Sequence, residues 1–289
     1  MREYRFSAPE TLEELFQAAA QPGVEVRFLA GGTDLVPRIN LERDHIPYDE
    51  KPPMSIISLG KLGLTDICEE DGAITIGAAV RIVDIQDSAL LRRRAAALCQ
   101  ACDQLAGFAI RNTATLGGNI MNASPAADTL PPLLVLDADV VLASTAGTRT
   151  MKLSAFLTGP GRTAIAPGEV LTAVVIHPGA GQTAFQKLGR RAAETLSVVN
   201  AAAYVETENG VCTKARVVVG SAAPTPMLCE DAAAALIGSP LTEETVRAAM
   251  ARVNDALSPI DDIRATAWYR LETAPVMAAL AVLTAAGNT

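Results

Sequence analysis

The chain has 289 residues, of which 49% are hydrophobic and 4% aromatic, and its formal charge at pH 7 is -8. This hydrophobic share excludes a disordered chain, and the length accommodates one large domain or two to three smaller ones. The acidic balance excludes a nucleic-acid binder of the phosphate-tracking kind, because residues 91–94 (LRRR) form the only tight basic cluster.

The opening residues read as a strand. A helix is expected from Ser7 or Pro9, since Leu12, Leu15, Phe16 and Ala19 recur at helical spacing. Residues 24–32 (VEVRFLAGG) alternate as a strand that runs into Gly31 and Gly32, and residues 55–59 (SIISL) form another. Residues 64–80 predict a hairpin, because Asp71-Gly72 separates two alternating runs. A long helical stretch covers 81–106, and a strand covers 138–144.

Proline and glycine then cluster at Gly159-Pro160-Gly161, Pro167-Gly168 and Pro178-Gly179, the last marking a domain border. Strands at 201–207 and 215–222 are joined across Asn209-Gly210, a second hairpin signal, and helices at 241–257 and 266–286 close the chain. Strands mixed with helices, several joined by hairpins, predict an α+β fold rather than a doubly wound sheet. The first residues are charged and no apolar run reaches the roughly 20 residues of a membrane helix. Five cysteines at irregular spacing (Cys68, Cys99, Cys102, Cys212, Cys229) suit a reducing compartment, so a cytoplasmic protein without a membrane span is expected.

Two glycine pairs stand out: Gly31-Gly32 in FLAGGTDLV (28–36) and Gly117-Gly118 in ATLGGNI (114–120). Glycine lets backbone amides approach an anion closely, and successive amides aimed into one concavity form a nest for phosphate oxygens. Thr33 flanks the first pair, and Thr115 and Asn119 flank the second, each able to add a hydrogen bond. Two nests could grip both halves of a diphosphate without any lysine or arginine. The plainer alternative is two structural turns; the residues alone lead to a nucleotide or dinucleotide cofactor.

Residues 30–36 (AGGTDLV), 110–142 (IRNTATLGGNIMNASPAADTLPPLLVLDADVVL) and 220–241 (GSAAPTPMLCEDAAAALIGSPL) resemble the FAD-binding subunit of molybdenum hydroxylases, the xanthine dehydrogenase family. The resemblance spans essentially the whole chain. It implies a vanillyl-alcohol-oxidase-type FAD-binding fold over 1–177, with lobes about 1–58 and 59–177. A C-terminal α+β domain of the CO dehydrogenase flavoprotein type would cover 178–289.

Carried over by position, the resemblance makes Phe28, Leu29, Ala30, Gly31, Gly32, Thr33, Asp34 and Leu35 the first diphosphate loop. Thr115, Leu116, Gly117, Gly118 and Asn119 form the second. Asp128 would accept hydrogen bonds from sugar or ribityl hydroxyls, because a carboxylate accepts only. Ala106 would touch the cofactor near the second loop, and Leu171 would pack on its adenine end. Lys187 would lie near the flavin or its phosphates; its alternative is a solvated surface lysine.

The same resemblance implies FAD in this chain, with the molybdenum cofactor in a large partner subunit and [2Fe-2S] clusters in a small one. Electrons would pass from the clusters through FAD to NAD+ or a similar acceptor. No catalytic side chain and no metal ligand is expected here, since the cofactor carries the redox chemistry. A stand-alone flavin oxidase or reductase, and a scaffold subunit that has lost FAD, are the alternatives.

Three features are read as decoys. Residues 159–164 (GPGRTA) match a dinucleotide fingerprint, but Pro160 and the following IAPGE predict a loop. Cys99 and Cys102 lack a second ligand pair and read as buried packing residues. His45 and His177 stand alone beside proline-containing loops.

Overall fold

The computed structural model describes residues 4–45 and 52–287, with backbone alone for residues 42–45; the His45 side chain therefore lies outside the described residues. Three strands open the chain: β1 (Tyr4–Ser7), β2 (Glu25–Leu29) and β3 (Met54–Ser58). They form a parallel sheet in the order β1-β3-β2. Helix α1 (Leu12–Ala19) seals one face by burying Leu15 against Ile57. It begins later than Ser7 or Pro9, because Thr11 is the cap and its side chain accepts from the Glu14 amide. Helix α2 (Leu35–His45) follows the first glycine pair directly. Sequence pattern gave no sign of it, since LVPRINLERDH lacks an apolar stripe.

The second lobe is a five-stranded antiparallel sheet. The hairpin β4 (Ile67–Glu70) and β5 (Ala73–Gly77) turns at Asp71 and Gly72, with φ of 49 and 81. The expected long helix over 81–106 is three short ones: α3 (Ile82–Asp87), α4 (Ala89–Arg94) and α5 (Ala96–Gln104). Ser88 ends α3 and caps α4, and Ala95 breaks the run again. A straight helix of that length would extend about 39 Å, past the sheet. The breaks instead bring Ile82, Ile85, Leu91, Leu98 and Ala101 into one core.

Four further helices belong to this lobe: α6 (Phe108–Arg111), α7 (Leu116–Asn122), α8 (Leu130–Val135) and α9 (Leu153–Phe156). So do β6 (Asp139–Ser144), β7 (Gly147–Lys152), the small ribbon β8 (Leu157–Gly159) and β9 (Arg162–Thr163), and β10 (Val170–Ile176). The sheet order is β4-β5-β10-β6-β7. GPGRTA forms the ribbon turn and no helix, as the proline indicated.

The last unit is a meander, β11 (Gln182–Gly189), β12 (Ser197–Glu208), β13 (Val211–Gly220) and β14 (Met227–Leu228). Asn209 and Gly210 make its expected hairpin turn, with φ of 52 and 80. Helices α10 (Glu230–Ala234), α11 (Glu243–Met250) and α12 (Ala267–Ala285) complete it, a 3-10 segment (Ala251–Ala256) finishing the stretch read as one helix. Strand β12 is covered on both faces. Ala202 and Tyr204 join the second lobe's core, while Val199, Ala201, Ala203 and Val205 join the C-terminal core under α12. A continuous apolar run is what such double burial requires. Among the described residues no helix is long and apolar enough to cross a membrane.

Candidate functional site

A cleft of about 410 Å³ separates the parallel lobe from the antiparallel one. Phe28, Ala30, Gly31, Gly32, Thr33, Asp34 and Leu35 line one wall, where β2 ends and α2 begins. Thr115, Gly117, Gly118 and Asn119 line the other, and Val170 and Leu171 of β10 contribute to the base. The two glycine pairs, separated by over 80 residues of sequence, therefore face one cavity.

The first bend leaves its backbone donors open. Among the described residues, the amides of Gly31, Gly32, Thr33 and Asp34 donate to no other group of the protein, and neither does the Thr33 hydroxyl. Gly32 turns the chain at φ +70, a conformation that a side chain resists. Helix α2, 11 residues long, starts at the next turn and points its positive end at the bend.

The second bend differs from the expected nest. Its amides are spent: Leu116 donates to the Val80 carbonyl at 3.0 Å and Gly117 to that of Ala78 at 2.8 Å. Gly118 donates to Thr115 Oγ1 at 3.2 Å and Asn119 to the Thr115 carbonyl at 3.0 Å. The glycine here answers a packing need, for a Cβ on Gly117 would sit 2.7 Å from the Ala78 carbonyl oxygen. What remains for a ligand is side-chain chemistry. The Thr115 hydroxyl keeps its proton to donate, and the Asn119 Nδ2 has no partner among the described residues.

Gly31 has a similar second duty. A Cβ there would lie 2.0 Å from the Thr113 carbonyl oxygen, so the first bend is pressed against the segment that leads into the second. That segment is in turn fastened to 78–82, since Ile82 donates to the Ala114 carbonyl and Leu116 to that of Val80.

The other sequence candidates lie off the cleft wall. Leu29 supports the bend from beneath, its carbonyl accepting from the Leu59 amide at 2.8 Å. Leu116 is fully buried in the core. Ala106, Asp128 and Lys187 gather at a second place, where the antiparallel lobe meets the C-terminal sheet. Lys187 Nζ lies 2.6 Å from Asp128 Oδ2 and donates to the Gln104 carbonyl at 3.0 Å; its side chain is 4% exposed. It is thus no solvated lysine. Asp128 Oδ1 accepts from Ser197 Oγ at 2.5 Å and Asn200 Nδ2 at 3.0 Å, so both its oxygens are engaged by protein. Ala106 sits beside this clasp at φ +44, with its carbonyl held by Arg111 Nη1. Thr129, next to Asp128, donates to Asn119 Oδ1 at 2.6 Å and so joins the clasp to the cleft.

Sequence reading missed several lining residues, among them Arg27, Arg38, Asn122, Gly161 and Ile165. Arg38 followed no recognised pattern because its helix has none, and Gly161 came from the loop read as a decoy. The Cys99 and Cys102 thiols are buried in α5, and burial pushes Cys99 up to about 12, far from a reactive thiolate. Among the described residues, no group of three or more metal-ligating side chains stands together.

Residues 2–178 match the family described as the FAD binding domain in molybdopterin dehydrogenase, and residues 183–285 match the CO dehydrogenase flavoprotein C-terminal domain. The chain belongs to the FAD-binding subunits of the molybdenum hydroxylase family. It is 36% identical over 281 residues to the nicotinate dehydrogenase FAD-subunit of Eubacterium barkeri, covering 94% of this chain and 93% of that one. It is 32% identical over 257 residues to the xanthine dehydrogenase FAD-binding subunit of Escherichia coli O157:H7, covering 88% and 86%. Its fold matches a chain of quinoline 2-oxidoreductase from Pseudomonas putida 86, with a TM-score of 0.90 and 27% identity over 100% of this chain and 99% of that one. Carbon monoxide dehydrogenase from Hydrogenophaga pseudoflava gives 0.89 and 28%, over 99% and 97%.

The cleft suits the cofactor that the family binds. Four successive amides at a helix N-terminus, with no partner among the described residues, offer donors to a diphosphate. The ionisable residues among the lining are Arg27, Asp34 and Arg38, each already in an ion pair. Among the described residues the lining therefore holds no unpaired acid or base.

Proposed function

We propose that this subunit holds FAD between the iron–sulfur clusters of a small partner subunit and a soluble acceptor, NAD+ or a similar molecule, within a complex whose large subunit carries the molybdenum cofactor. The observation that carries the reading is the run of unpaired amides from Gly31 to Asp34 on the cleft wall. FAD supplies the redox chemistry when bound, taking electrons singly and passing a pair on as hydride. The chain's own residues bind and orient.

Gly31, Gly32, Thr33 and Asp34 hold the diphosphate through their amides, with Thr33 adding its hydroxyl. Thr115 and Asn119 donate from the opposite wall through their side chains. Leu171, 3% exposed at the base of the cleft, packs on the adenine end. The Asp128–Lys187 clasp, with Ala106 beside it, borders the flavin end and fixes the C-terminal sheet against the FAD-binding lobes.

The test uses the flavin-loaded complex. Anaerobic NADH should bleach the visible absorbance of the oxidised flavin, because hydride transfer runs in reverse. Absorbance that persists with NADH, while a strong chemical reductant bleaches it, would reject NAD+ as the acceptor.

A further inference from the structure

We propose that Arg38 is a positioning residue for the FAD diphosphate: it straps the two lobes together across the cleft and cancels the charge of Asp34. The proposal rests on the FAD reading of the cleft. Arg38 lies one turn into α2, with Nε 2.8 Å from Asp34 Oδ2 and Nη2 2.7 Å from Asn122 Oδ1. Asp34 belongs to the first bend. Asn122 ends α7 in the other lobe, 84 residues away in sequence, and all three line the cleft.

Asp34 presents the electrostatic problem. Its carboxylate belongs to the run of free amides that suits a diphosphate, and uncompensated it would oppose a doubly negative ligand. Arg27, the other cation on the wall, is already paired with Glu25. Arg38 neutralises Asp34 and leaves the positive end of α2 to act on the ligand.

The geometric part follows from Asn122. Its place is fixed, because the next residue, Ala123, is left-handed at φ +44 and its carbonyl accepts from the Gly161 amide at 3.0 Å. A planar guanidinium reaches this fixed amide and the carboxylate together, which a lysine ammonium does not reproduce. The strap adds a polar tie between the lobes at the cleft, beside the contact of Gly31 with Thr113 and the apolar packing of Leu59 with Val170. Together they set the spacing between the amides of one wall and the Thr115 and Asn119 side chains of the other.

Arg38 is 58% exposed, and exposed ion pairs contribute little to stability. This separates the strap from a purely structural role. The full-length chain, freed of flavin, is titrated with FAD, ADP and riboflavin by fluorescence or calorimetry, and its melting is recorded without ligand. Arg38→Met should weaken FAD and ADP about tenfold, as expected when one carboxylate beside the diphosphate is left uncompensated, and leave riboflavin and the melting midpoint unchanged. Arg38→Lys should recover only part of that loss. Adding Asp34→Asn to Arg38→Met should likewise recover part of it, since the repelling charge is gone. An Arg38→Met chain that binds FAD as the wild type does overturns the strap while leaving the FAD reading intact. So does one that melts earlier or weakens riboflavin equally. A wild-type chain that takes up no FAD overturns the FAD reading, and the strap with it.

Discussion

The two glycine bends look alike in sequence and do different work. Around Gly31-Gly32 four consecutive amides have no partner among the described residues, whereas around Gly117-Gly118 every amide from Leu116 to Asn119 is bonded within the protein. In the first bend the backbone donors are the groups left open to the cleft. In the second, glycine lets α7 approach Ala78, and what stays open to the cleft is the Thr115 hydroxyl proton and the Asn119 Nδ2, among the described residues. A doubled glycine reports close approach; whether the approaching partner is a ligand or another stretch of backbone depends on where the amides end.

The largest test of this contrast is steric. Gly31→Ala places a methyl group 2.0 Å from a backbone oxygen that is itself held in place, so a loss of more than about 4 kcal/mol or insoluble protein is expected. Gly118→Ala meets only the Thr115 hydroxyl, at 3.0 Å, and should stay folded and yellow. Thermal melting of both variants decides it, and equal midpoints would erase the distinction.

A second test asks whether the scaffold around the second bend reaches into the C-terminal sheet. Lys187→Met strands the Asp128 carboxylate in a buried setting and should cost about 3–5 kcal/mol in denaturant unfolding. Converting Asp128→Asn in the same chain should return part of it. No cost from the single change would mean that the clasp holds nothing.

The smallest effects fall on the two threonines, and they sharpen the contrast most. Thr33→Val removes a hydroxyl with no partner among the described residues, so FAD affinity should fall about tenfold while flavin-free stability holds. Thr115→Val removes the cap of α7 as well, so affinity should fall together with about 1 kcal/mol of stability. Flavin titration and melting of each variant separate the two patterns.

Much of this was legible because the chemistry was local. Asp71-Gly72 and Asn209-Gly210 announced hairpins, since left-handed turns select such residues wherever they occur. The close approach at the first bend was legible for the same reason, since a strand entering two glycines leaves backbone without a Cβ. The stretch over 81–106 was not, because its apolar residues suit one helix or three equally well, and only the curvature of the core chooses. Helix α2 gave no pattern to read, and Arg38 was lost with it.

By itself the sequence determined the α+β fold, the strands that end at the cleft and the family's cofactor, because turn chemistry, alternation and ordered motifs act over a few residues. Only the tertiary structure decided which amides stay free, that Gly31 presses on Thr113, and that Asp128 meets Lys187 59 residues along the chain. Those outcomes depend on which groups are neighbours after folding, and a hydrogen-bond donor is available to a ligand only when no neighbour has taken it.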